Sequence, residues 1–459
     1  MFRSSAPLKL LLLALLLCLP HASPARLASL PAAALPEPAA NPASQLSAAD
    51  REAVFRRAWN EIRRHFYDPG YHGVDWNQIR LKYQPLVRAA RSDDEFYSLL
   101  KQMTAELHDA HTRLSTPLEW RERERHEGVG MGFTLDQIDG RATVVSVLPN
   151  SSAAKAGVLP GMVLTRFNNH LFADLVAGAQ STLLHSSSGR ADLLHVYHEI
   201  LAGPERSAAA VVFQRPDGST LDVTLTRQLY STPPRIVTRI LPSGVAYIRF
   251  DEFQPAIREE FKRALKSLRN APALILDLRQ NGGGDLGTLL PIAGYFFPKR
   301  TLFARDTTRT GKPITFLGGL FKLDLQLYAG HDGGQLYSGP VAILVRARTA
   351  SASEIFAAGM QETGRATIIG TQTCGCVVGI VKPHRLKGGS VLEIGEVLWM
   401  TPKGRKLEGE GVIPDTEIAP TLADLAENRD PILEQAELTL RASLRPRSLS
   451  AQSPLTFQR

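Results

Sequence analysis

The chain has 459 residues, 44% hydrophobic and 21% charged, with a formal net charge of +8 and three cysteines. That length allows two to four domains with real cores, and the composition excludes disorder as the main state. Three cysteines are too few for a disulfide framework. The positive charge does not point to nucleic acid: Arg3 and Lys9 lie in an N-terminal leader, and Arg441, Arg445, Arg447 and Arg459 fall in a tail, so the part between is nearly neutral.

Residues 1–25 pass from Arg3 and Lys9 through LKLLLLALLLCLP to HASPA, the charged, apolar and small-residue order of a cleaved secretory signal peptide. The apolar run ends at Pro20 and falls short of the about 20 residues that span a bilayer, so membrane contact is expected only through this transient leader. Bulky Leu17 argues against a lipidated Cys18. The mature chain is thus expected outside the cytoplasm, periplasmic or secreted. Residues 26–45 read as an Ala/Pro-rich linker.

From Ser47, a candidate N-cap, LSAADREAVFRRAWNEIRRHFYD carries apolar residues at helical spacing, and DWNQIRLKYQPLVRAA and SDDEFYSLLKQMTAELHD continue the pattern. Residues 46–118 therefore read as a helical cap domain. His111 follows the last of these helices, where a side chain can project rather than pack.

Residues 127–230 change to short strands and glycine turns. Gly130-Met131-Gly132-Phe133 and the later AKAGVLPGMVL resemble the carboxylate-binding loop and following segment of a PDZ domain. Consecutive N–H groups in such a loop can hold a C-terminal carboxylate while the peptide adds as a strand. LVAGAQSTLLHSSSGRADLLHVYHEILAG, about 175–203, lengthens the usual helix before two strands around Asp217-Gly218 close the domain.

Residues 236–420 alternate strand and helix text, from GVAYIRFDEF through ALILDLRQ and VAILVRA to ATIIGT, which describes an α/β core with helices covering a sheet. A C-terminal helix and basic tail occupy 421–459. Ser351 follows the strand PVAILVRARTA and opens a helix, at the strand end where α/β cores bind ligands. Locally, Ser351-Ala352-Ser353-Glu354 is a capping box, and capping serines greatly outnumber catalytic ones.

SASEIFAAGMQETGRATIIG, LILDLRQNGGGDLGTLL, GVAYIRFDEF and TPKGRKLEGEGVIPD together resemble the carboxyl-terminal processing and tricorn-type serine peptidases, over residues 46–420 and in the family's order. The resemblance implies a multidomain α/β protein: a ClpP/crotonase-like peptidase core, an inserted PDZ domain and an N-terminal helical cap. It implies Ser351 as nucleophile, with oxyanion N–H groups from Gly283 (or Gly284) in Asn281-Gly282-Gly283-Gly284 and from Ala352. Glycines there let backbone approach a substrate carbonyl closely.

The base departs from the processing branch, which has a lysine twenty-five residues after the serine and a glutamine four further on. Cys376 and Ile380 stand there. A thiol is a poor base for a hydroxyl, and isoleucine makes no hydrogen bond. The tricorn-type branch uses a histidine from before the PDZ domain and a glutamate late in the core. LHDAHT, residues 107–112, resembles that branch's LxDGHT, and LEGEGVIPD matches EGxGVxPD. These make His111 the general base and Glu408 an orienting or polarising group, with His108 and His126 lesser substitutes for the base.

The scheme needs no metal or organic cofactor. Cys374 and Cys376 are expected to close a structural disulfide; a redox latch beside the serine and a pair of buried thiols are the other readings, and the pair alone is too small for structural zinc. The expected function is an exported serine endopeptidase acting on protein or peptide substrates with accessible C-termini, by an acyl-enzyme. The alternative is a catalytically inactive peptidase fold that binds peptides through its PDZ domain. The sequence is silent on oligomeric state.

Overall fold

The computed structural model describes residues 46–444 apart from 183–185, 313, 317–320, 324–325 and 331–335. The expected leader and linker lie outside the described residues, as does the tail after residue 444, whereas Arg441 falls on a described C-terminal helix. No described helix is long and apolar enough to cross a membrane.

Helices α1 (Ala48–His65), α2 (Trp76–Ala89) and α3 (Asp93–Ala105) open the fold. Their N-termini are held by Ser47, Asp75 and Ser92, whose side chains accept first-turn N–H groups. Trp59 and Trp76 each donate their indole N–H to the other's backbone carbonyl, at 2.8 and 3.1 Å, so two large rings are buried without an orphaned donor. This helical core also takes in Val378, Leu386, Leu392 and Ile394 from far along the chain. Arg113–Ser115 pairs antiparallel with Val391–Glu393 just after α3.

The next unit begins with β1 (Glu127–Gly130), followed by β2 (Phe133–Ile138), β3 (Arg141–Val147), β4 (Val163–Phe167), β5 (Ala208–Gln214) and β6 (Thr220–Thr226). Strands β2 to β6 pair antiparallel in sequence order, which leaves β2 on an edge. The sequence reads one lengthened helix over 175–203, whereas the structure has two, Phe172–Thr182 and α4 (Gly189–Leu201). Ser188 causes the second start: its side chain caps α4 by accepting from Ala191 N–H at 3.2 Å.

The core sheet runs β7 (Ile236–Ile240), β8 (Ala246–Phe250), β9 (Leu274–Asp277), β10 (Val341–Val345), β11 (Thr367–Gly370) and β12 (Thr416–Glu417). Only the β7/β8 pair is antiparallel. Right-handed crossovers between strands laid down in sequence order put their helices on one face. There α5 (Pro255–Ser267), α6 (Leu286–Gly294) and α7 (Ala352–Glu362) bury Ile248, Leu274, Leu276, Ile343 and Val345. The alternate residues Tyr247, Ile275, Ala342 and Leu344 face the other way, against Ile432, Ala436 and Leu440 of the C-terminal helix α8 (Pro431–Leu444). Both faces are thus apolar, which is why these strands read as unbroken hydrophobic runs. A second sheet, unread in the sequence, joins Gln326–Ala329, Thr301–Thr308, Val397–Met400 and Val378–Gly379.

Candidate active site

Ser351 sits between β10 and α7 with φ 56° and ψ −123°, a positive φ that is rare for a residue bearing a side chain. Neighbouring backbone holds it there. Its N–H donates to the carbonyl of Cys376 at 2.8 Å and to Glu354 Oε2 at 3.0 Å. The Glu354 arm of the expected capping box is therefore closed, while the Ser351 hydroxyl lies 3.2 Å from His111 Nε2.

His111 reaches this point from the segment after α3. The Asp109 carboxylate folds the turn: Oδ1 accepts His111 N–H at 2.9 Å and Oδ2 accepts the Thr112 hydroxyl at 2.5 Å. Thr112 Oγ1 in turn accepts Gly395 N–H at 2.9 Å, fastening the turn to the distant strand region. The His111 side chain is 11% exposed, and burial pushes its pKa below the ordinary 6.5, opposed by the Asp109 carboxylate. The ring is accordingly neutral near pH 7 and able to accept a proton. Its Nδ1 is buried without a hydrogen-bond partner, 3.9 Å from Asp109 Oδ1.

Glu408 is brought near but contacts neither His111 nor Ser351 among the described residues. Its Oε2 accepts Val377 N–H at 2.6 Å and its Oε1 has no partner. Burial, then the Asp109 charge, push its pKa up to about 8. The carboxylate nearest the imidazole is Asp109, whose side chain is fully buried. Asp109 has no assigned role in the sequence reading; the signal was its place two residues before the histidine, the spacing of a side chain that caps its own turn.

The glycine turn adjoins the serine. A Cβ on Gly283 would lie 2.8 Å from Ser351 Cβ, and its φ is +112°. Gly283 N–H is already donated to Asn281 Oδ1 at 3.0 Å. The N–H groups of Gly284 and Ala352 have no acceptor among the described residues. Asn281, fully buried, ties turn to helix: Oδ1 also accepts the Ser353 hydroxyl at 2.6 Å, and its amide donates to Phe250 O at 3.0 Å. Asn281 and Ser353 are further site residues the sequence reading left without a task.

Cys374 and Cys376 are joined by a disulfide, on the turn directly beneath Ser351. Glu354 spans the same turn. Its Oε1 accepts the Thr373 hydroxyl at 2.5 Å and Gly375 N–H at 2.7 Å, and its Oε2 accepts Cys376 N–H at 3.0 Å besides Ser351 N–H. Burial lifts its pKa to about 7, against the four donors that favour the ionised form. Among the described residues no group of three or more His, Cys, Asp and Glu side chains is arranged to hold a metal ion.

Gly130, Met131, Gly132 and Phe133 form the turn from β1 into the edge strand β2, and a cavity of about 220 Å³ lies between β2 and α4. Val129, Met131, Phe133, Leu135, Leu194 and Tyr197 line it. Arg348, three residues before the serine, enters the same cavity and donates through Nη2 to Leu135 O at 2.7 Å.

The profile described as Peptidase family S41 matches residues 244–418, and that of the Tricorn protease C1 domain matches residues 47–105. The chain is 29% identical over 411 residues to a putative tricorn protease homolog 2 of Streptomyces coelicolor, covering 84% of this chain and 32% of that protein. It is 25% identical over 413 residues to a carboxyl-terminal-processing protease of Synechocystis, covering 87% of this chain and 88% of the relative. The solved photosystem II D1 C-terminal processing protease superposes with a TM-score of 0.55 at 23% identity, over 85% of this chain and 97% of that one. Mature CPAF gives 0.65 at 15% identity, over 86% and 98%; both show a shared fold. With the S41 profile spanning the core around Ser351, the chain carries a Peptidase family S41 domain, a serine-type peptidase domain, over residues 244–418 and a Tricorn protease C1 domain over residues 47–105.

Proposed function

We propose that the protein is an exported serine endopeptidase that cleaves unfolded or C-terminally exposed protein segments through an acyl-enzyme. The observation that carries this reading is the 3.2 Å approach of His111 Nε2 to Ser351 Oγ, made by a neutral imidazole across 240 residues of sequence. His111 takes the hydroxyl proton as Ser351 Oγ attacks the scissile carbonyl, then passes it to the leaving amine; water, deprotonated by the same ring, hydrolyses the ester. The N–H groups of Gly284 and Ala352, at the start of α7, receive the oxyanion, with Gly283 shaping the turn by its lack of a side chain. Asp109 orients the imidazole through the turn it builds. Glu408 polarises the site at one remove, holding Val377 and facing Asp109.

The core reads as ClpP/crotonase-like and residues 127–230 as a PDZ domain. An apolar chain end would add as a strand to β2, with its carboxylate at the Gly130–Phe133 turn and side chains in the cavity against α4. Export follows from the leader sequence.

The test is cleavage of an unfolded reporter with an apolar C-terminus by purified mature protein, with Ser351→Ala and His111→Ala alongside. Wild type cuts, and both folded variants lose activity by about 10³-fold or more. Retained cleavage by His111→Ala would remove His111 as base. Wild type indistinguishable from Ser351→Ala across several reporters would make the protein a peptide-binding one.

A further inference from the structure

We propose that the Cys374–Cys376 disulfide is a redox-responsive brace on the nucleophile, so that an exported dithiol reductant turns the peptidase down and reoxidation restores it. This rests on Ser351 being the nucleophile. The observation behind it is how the bridged turn is wired. Residues 374–376 have six backbone polar groups, and every one is bonded. Cys374 N–H donates to Thr349 O at 3.0 Å, Gly375 N–H and Cys376 N–H donate to Glu354, and Cys376 O accepts Ser351 N–H. Four of the six thus hold residues 349–354, the segment that carries the nucleophile. The other two face outward: Cys374 O accepts the Ser188 hydroxyl at the start of α4, and Gly375 O accepts Gly409 N–H beside Glu408.

Ser351 needs such a hold because its positive φ is costly for a side-chain-bearing residue and persists only where surroundings impose it. Gly375 also sits at positive φ, +74°, a conformation only glycine adopts freely, and the bridge spans it. A link between residues i and i+2 closes a ring too small for the turn to open. Without it, the turn gains conformational freedom, Cys376 O is no longer pinned under Ser351 N–H, and the serine can relax away from His111.

The chemistry balances as thiol–disulfide exchange. A thiolate of the reductant attacks one cysteine sulfur, giving a mixed disulfide and releasing the other cysteine as a thiolate that takes up a proton. The reductant's second thiol then displaces the first cysteine, leaving two protein thiols and an oxidised reductant. Both cysteines are buried, at 6% and 4% exposure, so the exchange waits on local opening and responds to sustained rather than brief reducing conditions.

The experiment takes folded, oxidised wild type, incubates it with dithiothreitol, counts the thiols by mass after alkylating an aliquot, and follows two readouts. The first is cleavage of the unfolded reporter: reduction is expected to lower kcat by about tenfold or more with KM nearly unchanged, reversibly, as for a nucleophile displaced by a fraction of an ångström. A Cys374→Ser/Cys376→Ser variant is expected at the lower level and indifferent to reductant. The second readout is hydrogen exchange over 349–354, expected to quicken on reduction while β9 and β10 stay protected. Fully reduced protein with unchanged kcat and unchanged exchange in that segment overturns the brace. If oxidised wild type shows no Ser351-dependent cleavage, the functional reading fails, and exchange alone decides whether the brace exists.

Discussion

Asp109 Oδ1 stands 3.9 Å from His111 Nδ1, too far for a hydrogen bond, while the same oxygen accepts the His111 backbone N–H at 2.9 Å. The carboxylate therefore sets the imidazole through the chain and through charge rather than by gripping the ring. Burial lowers the His111 pKa most, the Asp109 charge partly offsets this, and the charges of Arg113 and Glu393 act more weakly, the first lowering and the second raising it.

For kcat/KM against pH, the lowered pKa places the acid limb below 6.5, because His111 is active only when neutral. Asp109→Asn is expected to cost about 10²-fold in kcat and to move that limb to still lower pH, since the charge that raises the pKa is gone. Rate profiles from pH 4 to 9 check both, and a limb that moves upward would contradict this electrostatic role.

Glu408 behaves oppositely. With a pKa near 8 it is protonated at pH 7, so Glu408→Gln is a close mimic and keeps kcat/KM within about threefold there. Its folded pKa is above the ordinary 4.5, so the folded state holds a proton the unfolded chain has released, and stability falls as pH rises from about 4.5 through 8. Glu408→Gln removes that cost. Urea unfolding of both proteins at several pH values should show the variant gaining on wild type as pH rises.

Gly283→Ala places a methyl 2.8 Å from Ser351 Cβ and 3.1 Å from Ala352 N at a φ of +112°. Strain of roughly 1–3 kcal/mol is expected. The shift it forces on Ser351 should lower kcat by about 10²-fold, measurable in a variant that still unfolds cooperatively. Gly282→Ala, with nothing within 4 Å of the added carbon, is the control.

Arg279 lies behind the strand end of β9, donating to Asp277 at 2.7–3.0 Å and to both oxygens of Asp430 at 2.8 Å. It holds the Asp277 carboxyl below its usual range although that group is buried. Arg279→Met leaves Asp277 charged without a counter-ion and should cost about 3–5 kcal/mol at pH 7, read by urea denaturation.

The alternation of strand and helix from 236 to 420 was legible because both faces of the core sheet are apolar, so each strand is a short unbroken hydrophobic run between turns. The strands Thr301–Thr308 and Val397–Met400 were not legible in that way. They pair with each other across some ninety residues, and mixed sequences such as TLFARDTT acquire strand character from that pairing. The single long helix expected over 175–203 broke at a serine cap, a local signal outweighed by apolar spacing on either side. At the site, motif resemblance singled out the two side chains that the structure brings within 3.2 Å of each other. It missed Asp109, whose bonds to its own turn leave no mark on periodicity. It gave Glu408 an orienting or polarising role, and that buried carboxyl accepts Val377 N–H and feels the Asp109 charge.

His111 and Ser351, the proposed base and nucleophile, are carried by segments next to separate hydrophobic cores, one built on α1 to α3 and the other on the β8–β11 sheet, and the helical core also needs Val378, Leu386, Leu392 and Ile394. A ribosome that has made the first three hundred and fifty residues has supplied the histidine and an unfinished scaffold for it. The segments that seat the imidazole and the turn that holds the serine all arrive within the next sixty. A nascent chain that stops short of about residue 410 therefore lacks the proposed pairing of His111 with Ser351, however well its helices have folded.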